Sequence, residues 1–116
     1  MAKVVLRAFL IVLTIPGLSK AISQKSFTVK VAGKGDPMIL IHGLYCSGEV
    51  WKEVVERYQK KYECHVLTLA GFGGNDTIST SHFLETVKND IISYTKTNKL
   101  KNPILVGHSM GGFVAL

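Results

Sequence analysis

Near the end of the chain a serine stands between glycines in Gly107-His108-Ser109-Met110-Gly111, directly after the apolar run Ile104-Leu105-Val106. A serine hydroxyl becomes a useful nucleophile when a sharp strand-to-helix corner holds it clear of its own backbone, the arrangement known as a nucleophile elbow. Such a corner brings strand and helix backbones together two residues on either side of the serine, where a Cβ would be in the way, so Gly107 and Gly111 are the elbow's supports. Ser109 itself is expected in an unfavourable backbone conformation, at a cost of about 1–3 kcal/mol. Its Oγ would attack an acyl carbon. The competing reading makes Ser109 a helix-capping serine that happens to lie between glycines.

An acyl transfer needs donors aimed at the oxygen that becomes negative, and loss of one typically costs about 2.7–4 kcal/mol of barrier. The N–H of Met110, just after the nucleophile, is the first candidate. A second motif lies about 65 residues upstream, where Met38-Ile39-Leu40-Ile41 runs into His42-Gly43-Leu44. Together the two motifs resemble the α/β-hydrolase family over roughly residues 26 to 116, the front part of such a domain. The resemblance implies that Leu44 supplies the second oxyanion donor from its N–H, with His42 and Gly43 shaping that loop. It also implies the chain order serine, acid, histidine, so the catalytic acid and base are expected beyond Leu116. The chain is then the inactive front of a longer protein or a truncated product, and its leader and apolar end favour the fragment.

The histidines and acids present fit other roles. His108 adjoins Ser109 on the strand side and is read as filling space beneath the elbow. His42 is read as a hydrogen-bonded structural residue. His65 falls at a strand start and His82 at a helix start, both away from the elbow. Asp76 reads as a turn residue and Asp90 as a solvated helix residue, and both precede the serine.

Elements that position the two motifs follow from periodicity. Phe27, Val29 and Val31 alternate with Thr28 and Lys30, a half-buried strand. Met38 to Ile41 is continuously apolar, as in a strand covered on both faces of a parallel sheet. Trp51, Val54, Val55, Tyr58 and Tyr62 recur at helical spacing, with Ser47 as cap and Lys60 and Lys61 in the last turn. Cys64 to Leu69 is the next strand, closed by Ala70-Gly71-Phe72-Gly73-Gly74-Asn75-Asp76. Family members often carry an Asp and a Pro around this loop, where this chain has Thr68 and Ala70. A second helix is expected from about Ser81 to Lys96, burying Leu84, Val87, Ile91 and Tyr94, and the buried strand Ile104 to Val106 follows. This order predicts a right-handed parallel α/β sheet with its functional loops at the carboxyl ends of the strands.

The chain has 116 residues, enough for one small domain, and 47% of them are hydrophobic. Its formal charge of +6 falls to +3 from Ile22 onward, because Lys3, Arg7 and Lys20 lie in a segment without acids. No basic stripe with interleaved aromatics remains, which argues against nucleic acid as a partner. Residues 1 to 21 read as a signal peptide, with a positive start, an apolar core from Ala8 to Ile15 and a cleavage site at Ser19-Lys20-Ala21. The uncharged run Ala8 to Ser19 is 12 residues long, against about 18 or more for a spanning helix. Export to the periplasm or outside, without a stable membrane anchor, is therefore expected. Cys46 and Cys64 belong to opposite ends of neighbouring parallel strands, too far apart for a bridge, and two free thiols are predicted. No metal-ligand spacing and no phosphate loop is present, so no cofactor is expected.

The residues thus predict a signal peptide over 1–21 and an incomplete α/β-hydrolase domain over 22–116. The expected activity is a serine hydrolase acting on a small-molecule ester or related acyl substrate. A non-catalytic binding protein on the same fold, or a perhydrolase or peptidase relative, is the alternative. Tyr45 reads equally as a pocket or a surface aromatic.

Overall fold

The computed structural model describes residues 22–23 and 26–116, so the predicted signal peptide over 1–21 lies outside the described residues. Five strands form one sheet in the order β1-β2-β4-β3-β5. They are β1 Ile22–Ser23, β2 Phe27–Ala32, β3 Asp36–Ile41, β4 Tyr62–Leu69 and β5 Ile104–Gly107. Strands β4, β3 and β5 are mutually parallel, whereas β2 pairs antiparallel with both β4 and β1. The parallel sheet expected from the sequence is therefore a parallel core with an antiparallel flank.

The central strand explains the core. Side chains of a strand alternate between faces, and in β3 both sets are apolar. Ile39 and Ile41 face Phe27, Val29, Leu67 and Leu69 together with Val87, Ile91 and Tyr94 of helix α2, Phe83–Thr97, and Val114 of helix α3, Met110–Ala115. Met38 and Leu40 face Cys64 and the partly buried Trp51, Val54 and Val55 on the other side. There a short 3₁₀ turn, Gly48–Trp51, leads into helix α1, Lys52–Tyr58. Ser47 starts this segment, its Oγ accepting the N–H of Glu49 at 3.3 Å.

Several expectations are corrected. Strand β5 is exposed here: among the described residues it pairs with β3, and Ile104 and Leu105 are 42% and 40% exposed. Tyr62 opens β4 and is no part of the helical stripe, since α1 ends at Tyr58 and leaves Lys60 and Lys61 in the turn behind it. Leu84 lies on the exposed side of α2, which starts at Phe83 rather than Ser81. His65 is not at a strand start but buried within β4, its Nδ1 2.7 Å from the hydroxyl of Tyr94 and its Nε2 2.7 Å from Glu63. Burial, and after it the charge of Glu63, push the Tyr94 phenol up to about 12. Asp90 is no solvated residue, because one carboxylate oxygen accepts the backbone N–H of Ser26 at 3.1 Å and its hydroxyl at 2.6 Å. That pair anchors the start of β2 to α2.

Helix α2 ends in a Schellman motif. Leu100 N–H returns to the carbonyl of Thr95 and Lys99 N–H to that of Lys96, with Lys99 in the left-handed region at φ 53°. The connection then delivers the chain to β5 and the corner at Ser109.

Candidate active site

Ser109 has φ 51° and ψ −115°, and its side chain makes no capping hydrogen bond to α3. These angles belong to the first central position of a type II′ turn, which glycine ordinarily occupies. The turn closes through Gly111 N–H to the carbonyl of His108 at 2.9 Å. A capping serine has extended backbone and accepts a helix N–H on its side-chain oxygen; Ser109 does neither. Its side chain is exposed.

Two glycines hold the corner. A Cβ on Gly107 would run into the carbonyl oxygen of Gly111 and stand 2.5 Å from Gly112 N. One on Gly111 would overlap the carbonyl oxygen of Ile41 and lie 2.7 Å from that of His42. The end of β3 and the start of α3 are therefore in backbone contact, and His108 N–H to Ile41 O at 3.0 Å fastens them. His108 itself is exposed, so it does not fill space beneath the elbow. Its ring and its backbone both face the site's other loop, for a Cβ on Gly43 would meet His108 Nδ1 at 2.9 Å, His108 O at 3.1 Å and Ser109 Cβ at 3.2 Å.

The His42-Gly43-Leu44 loop thus abuts the serine. His42 is fully buried, with Nδ1 2.7 Å from Gly43 O and Nε2 accepting the N–H of Leu69 at 3.0 Å. Only the neutral ring with its proton on Nδ1 satisfies both bonds. Burial lowers its pKa from the ordinary 6.5, against the smaller raising effect of the Gly43 carbonyl. Phe72 stacks edge-on against the ring at 5.5 Å. Among the described residues no acceptor takes the N–H of Leu44 or of Met110.

Leu44 and Met110 line the same recess of about 320 Å³, whose other walls include Phe72, Ile78 and Phe83. Tyr45 is outside it, 91% exposed, with φ 57°. Sequence reasoning missed what holds the wall of this recess. Asn75 Nδ2 donates to Thr28 Oγ1 at 3.0 Å and to Thr68 O at 2.8 Å, while Thr68 Oγ1 accepts Gly48 N–H at 3.0 Å. The only hint was an asparagine in a glycine-rich loop. Cys46 and Cys64 are both free, and burial pushes the Cys64 thiol up. Among the described residues no group of His, Cys, Asp and Glu could hold a metal ion.

A parallel sheet whose third parallel strand ends in a serine at positive φ, packed against a His-Gly loop, defines an α/β-hydrolase core. The chain belongs to the alpha/beta hydrolase family, whose profile matches residues 38–116. It is 34% identical over 83 residues to a pimeloyl-(acyl-carrier protein) methyl ester esterase of Vibrio vulnificus, covering 72% of this chain and 31% of that protein. A second relative, the (E)-2-((N-methylformamido)methylene)succinate hydrolase of Acinetobacter baylyi, is 30% identical over 82 residues, 71% of this chain and 31% of that one. The chain thus spans about a third of the length of the curated relatives it matches. Among solved structures, a marine microorganism esterase superposes with a TM-score of 0.68 at 24% identity, covering 84% of this chain and 35% of that one. This last likeness speaks to the fold.

Proposed function

We propose that Ser109 is the nucleophile of a serine hydrolase that cleaves an ester or related acyl bond through an acyl-enzyme. Its Oγ attacks the acyl carbon, a base takes its proton, and the carbonyl oxygen becomes an oxyanion received by the N–H groups of Leu44 and Met110. Collapse breaks the bond to the leaving group, which departs with the proton, and water then releases the acid. The observation that carries this reading is the backbone of Ser109, held at φ 51° and ψ −115° with its side chain uncommitted to the helix. Strain of that kind persists where a function uses it. Support also comes from relatives named as an esterase and a hydrolase. The base and its orienting acid belong, by the family's chain order, after Leu116, so this segment alone is expected to be inactive.

The test uses the complete hydrolase domain that carries this segment. A fluorophosphonate probe should label Ser109, an activated short-chain ester should turn over, and Ser109→Ala should abolish both. If the complete domain takes no probe and cleaves no ester, amide or thioester, the non-catalytic binding reading replaces this one. Full activity in Ser109→Ala would move the site elsewhere.

We further propose export, on the basic, apolar and small-residue order of residues 1 to 21. Amino-terminal sequencing of the mature protein should start near Ile22. An intact chain beginning at Met1 in the membrane fraction contradicts it.

A further inference from the structure

The connections between the parallel strands and their helices gather at two opposite ends of the sheet. At one end lie residues 42–47, 70–82 and 108–109, which follow β3, β4 and β5 and build the candidate active site. They carry one acid, Asp76, and no lysine or arginine. At the other end lie 33–35, 59–61 and 98–103, which lead into the same strands. These carry five lysines, Lys34, Lys60, Lys61, Lys99 and Lys101, all exposed, and no acid. The six residues of β3 hold the two ends about 20 Å apart. Lysines scattered along the chain become one patch only in the fold. Lys34 N–H donates to Gln59 O at 3.0 Å, and a Cβ on Gly35 would overlap the carbonyl oxygen of Lys61, so the first two connections touch. The third enters β5, on the far side of β3 from β4 and about 10 Å from it across two strand spacings. Arg57 and Lys96, in the last turns of α1 and α2, add two exposed cations, and the acids nearby are Asp36, Glu56 and Glu63. Glu63 is already engaged by His65 Nε2 at 2.7 Å. The carbonyl ends of α1 and α2 favour cations beside them, which accounts for Lys60, Lys61, Lys96 and Lys99 but not for Lys34 or Lys101.

We propose that this basic end is a docking surface for an anionic phospholipid bilayer, on which the molecule rests with its Ser109 end turned to solution. Lysines on short turns at one end of a sheet meet a plane of headgroups together, and each adds its own attraction to the surface. Nucleic acid fits the surface less well, because unpaired bases bind by stacking on bare aromatic faces. The rings at this end are Tyr58 and Tyr62, and the chain's own cations lie over them, Arg57 at 5.9 Å from one centroid and Lys61 at 5.6 Å from the other. A tyrosine set among cations suits the headgroup layer of a membrane instead. The inference is independent of the role of Ser109.

The experiment sediments the complete domain with vesicles of phosphatidylcholine containing about a third phosphatidylglycerol. Binding should be present at about 0.05 M salt and lost at about 1 M, where charges are screened beyond about 3 Å. Vesicles of phosphatidylcholine alone should bind nothing at either salt. Lys34→Gln, Lys61→Gln and Lys101→Gln should each weaken partitioning about fivefold, and the three together about a hundredfold. Lys52→Gln and Lys88→Gln, at exposed or half-buried positions on other surfaces, should stay within about twofold. The substituted lysines are exposed, so the circular dichroism of every variant should match the parent. No binding to anionic vesicles at low salt, equal binding to neutral ones, equal losses from the Lys52 and Lys88 variants, or tighter binding to a single-stranded oligonucleotide than to the vesicles each overturns the proposal.

Discussion

If the backbone at Ser109 is held at positive φ for the sake of the hydroxyl, replacing it with glycine should make the protein more stable while destroying its chemistry. At φ 51° and ψ −115° the residue occupies a region that glycine enters freely and that costs other residues about 1–3 kcal/mol. Glycine loses about 0.5–1 kcal/mol through its greater freedom in the unfolded chain. The difference leaves Ser109→Gly more stable by about 1 kcal/mol. Ser109→Ala keeps the Cβ and hence the strain, and no hydrogen bond to α3 is lost with the hydroxyl, so it should lie within about 0.5 kcal/mol of the parent. Urea unfolding of the complete domain measures this, provided the slope is the same for all three proteins. A Ser109→Gly variant less stable than the parent, or an Ala variant as stabilising as Gly, would refute the argument that the strain belongs to the backbone at this residue. The trade between stability and activity would then have no basis here.

The neighbouring glycines give a sharper contrast than their shared identity suggests. Gly107→Ala and Gly111→Ala each place a Cβ against backbone that cannot move aside and should cost at least about 3 kcal/mol, whereas Gly112→Ala meets only Gly107 O at 3.7 Å and should stabilise by up to about 1 kcal/mol; denaturant midpoints of the three variants check this. For His42 the folded pKa lies below the ordinary 6.5, so the unfolded chain binds more protons in the window between the two values. Stability is complete above that window and falls as the pH drops through it, with a slope of at most about 1.4 kcal/mol per pH unit. The fall should be absent from the corresponding scan of His42→Gln. At the end of α2, Lys99 fills a left-handed position that glycine favours. Lys99→Gly should raise the unfolding free energy by up to about 1 kcal/mol, and a lower value would show that the lysine side chain contributes there.

The features legible in the sequence were those fixed by neighbours along the chain. Met38 to Ile41 announced a doubly covered strand because both of its faces are apolar, and the glycines around Ser109 announced a close approach of backbones. Features that depend on distant partners were not legible. Tyr62 continued the spacing of Trp51, Val54 and Tyr58 although it begins a strand, since one aromatic residue satisfies a helical and an extended pattern alike. Ile104 and Leu105 carry the composition of a buried strand, but burial requires a neighbour on each side, and among the described residues β5 pairs with β3 alone. Asp90 looked like any acid on a helix, and only the fold brings it to Ser26.

The loop after β4 shows how a departure from a family pattern can leave the architecture intact. Thr68 and Ala70 depart from the acid and proline that the family resemblance leads one to expect around this loop. In the fold, Thr68 carries two duties: its hydroxyl receives Gly48 N–H and its carbonyl receives Asn75 Nδ2. Asn75 also reaches the hydroxyl of Thr28, so β2, β4, the turn at Gly48 and the loop meet through the side chains of Thr28, Thr68 and Asn75. The loop thereby keeps Phe72 against the ring of His42, and His42 in turn holds the carbonyl of Gly43, whose Cα packs against His108 and Ser109. A chain of hydrogen bonds and one aromatic contact thus joins the loop after β4 to the proposed oxyanion donor. Loss of Asn75 should therefore disturb the position of Leu44 N–H before it disturbs the sheet, because the sheet's own ladders do not pass through it.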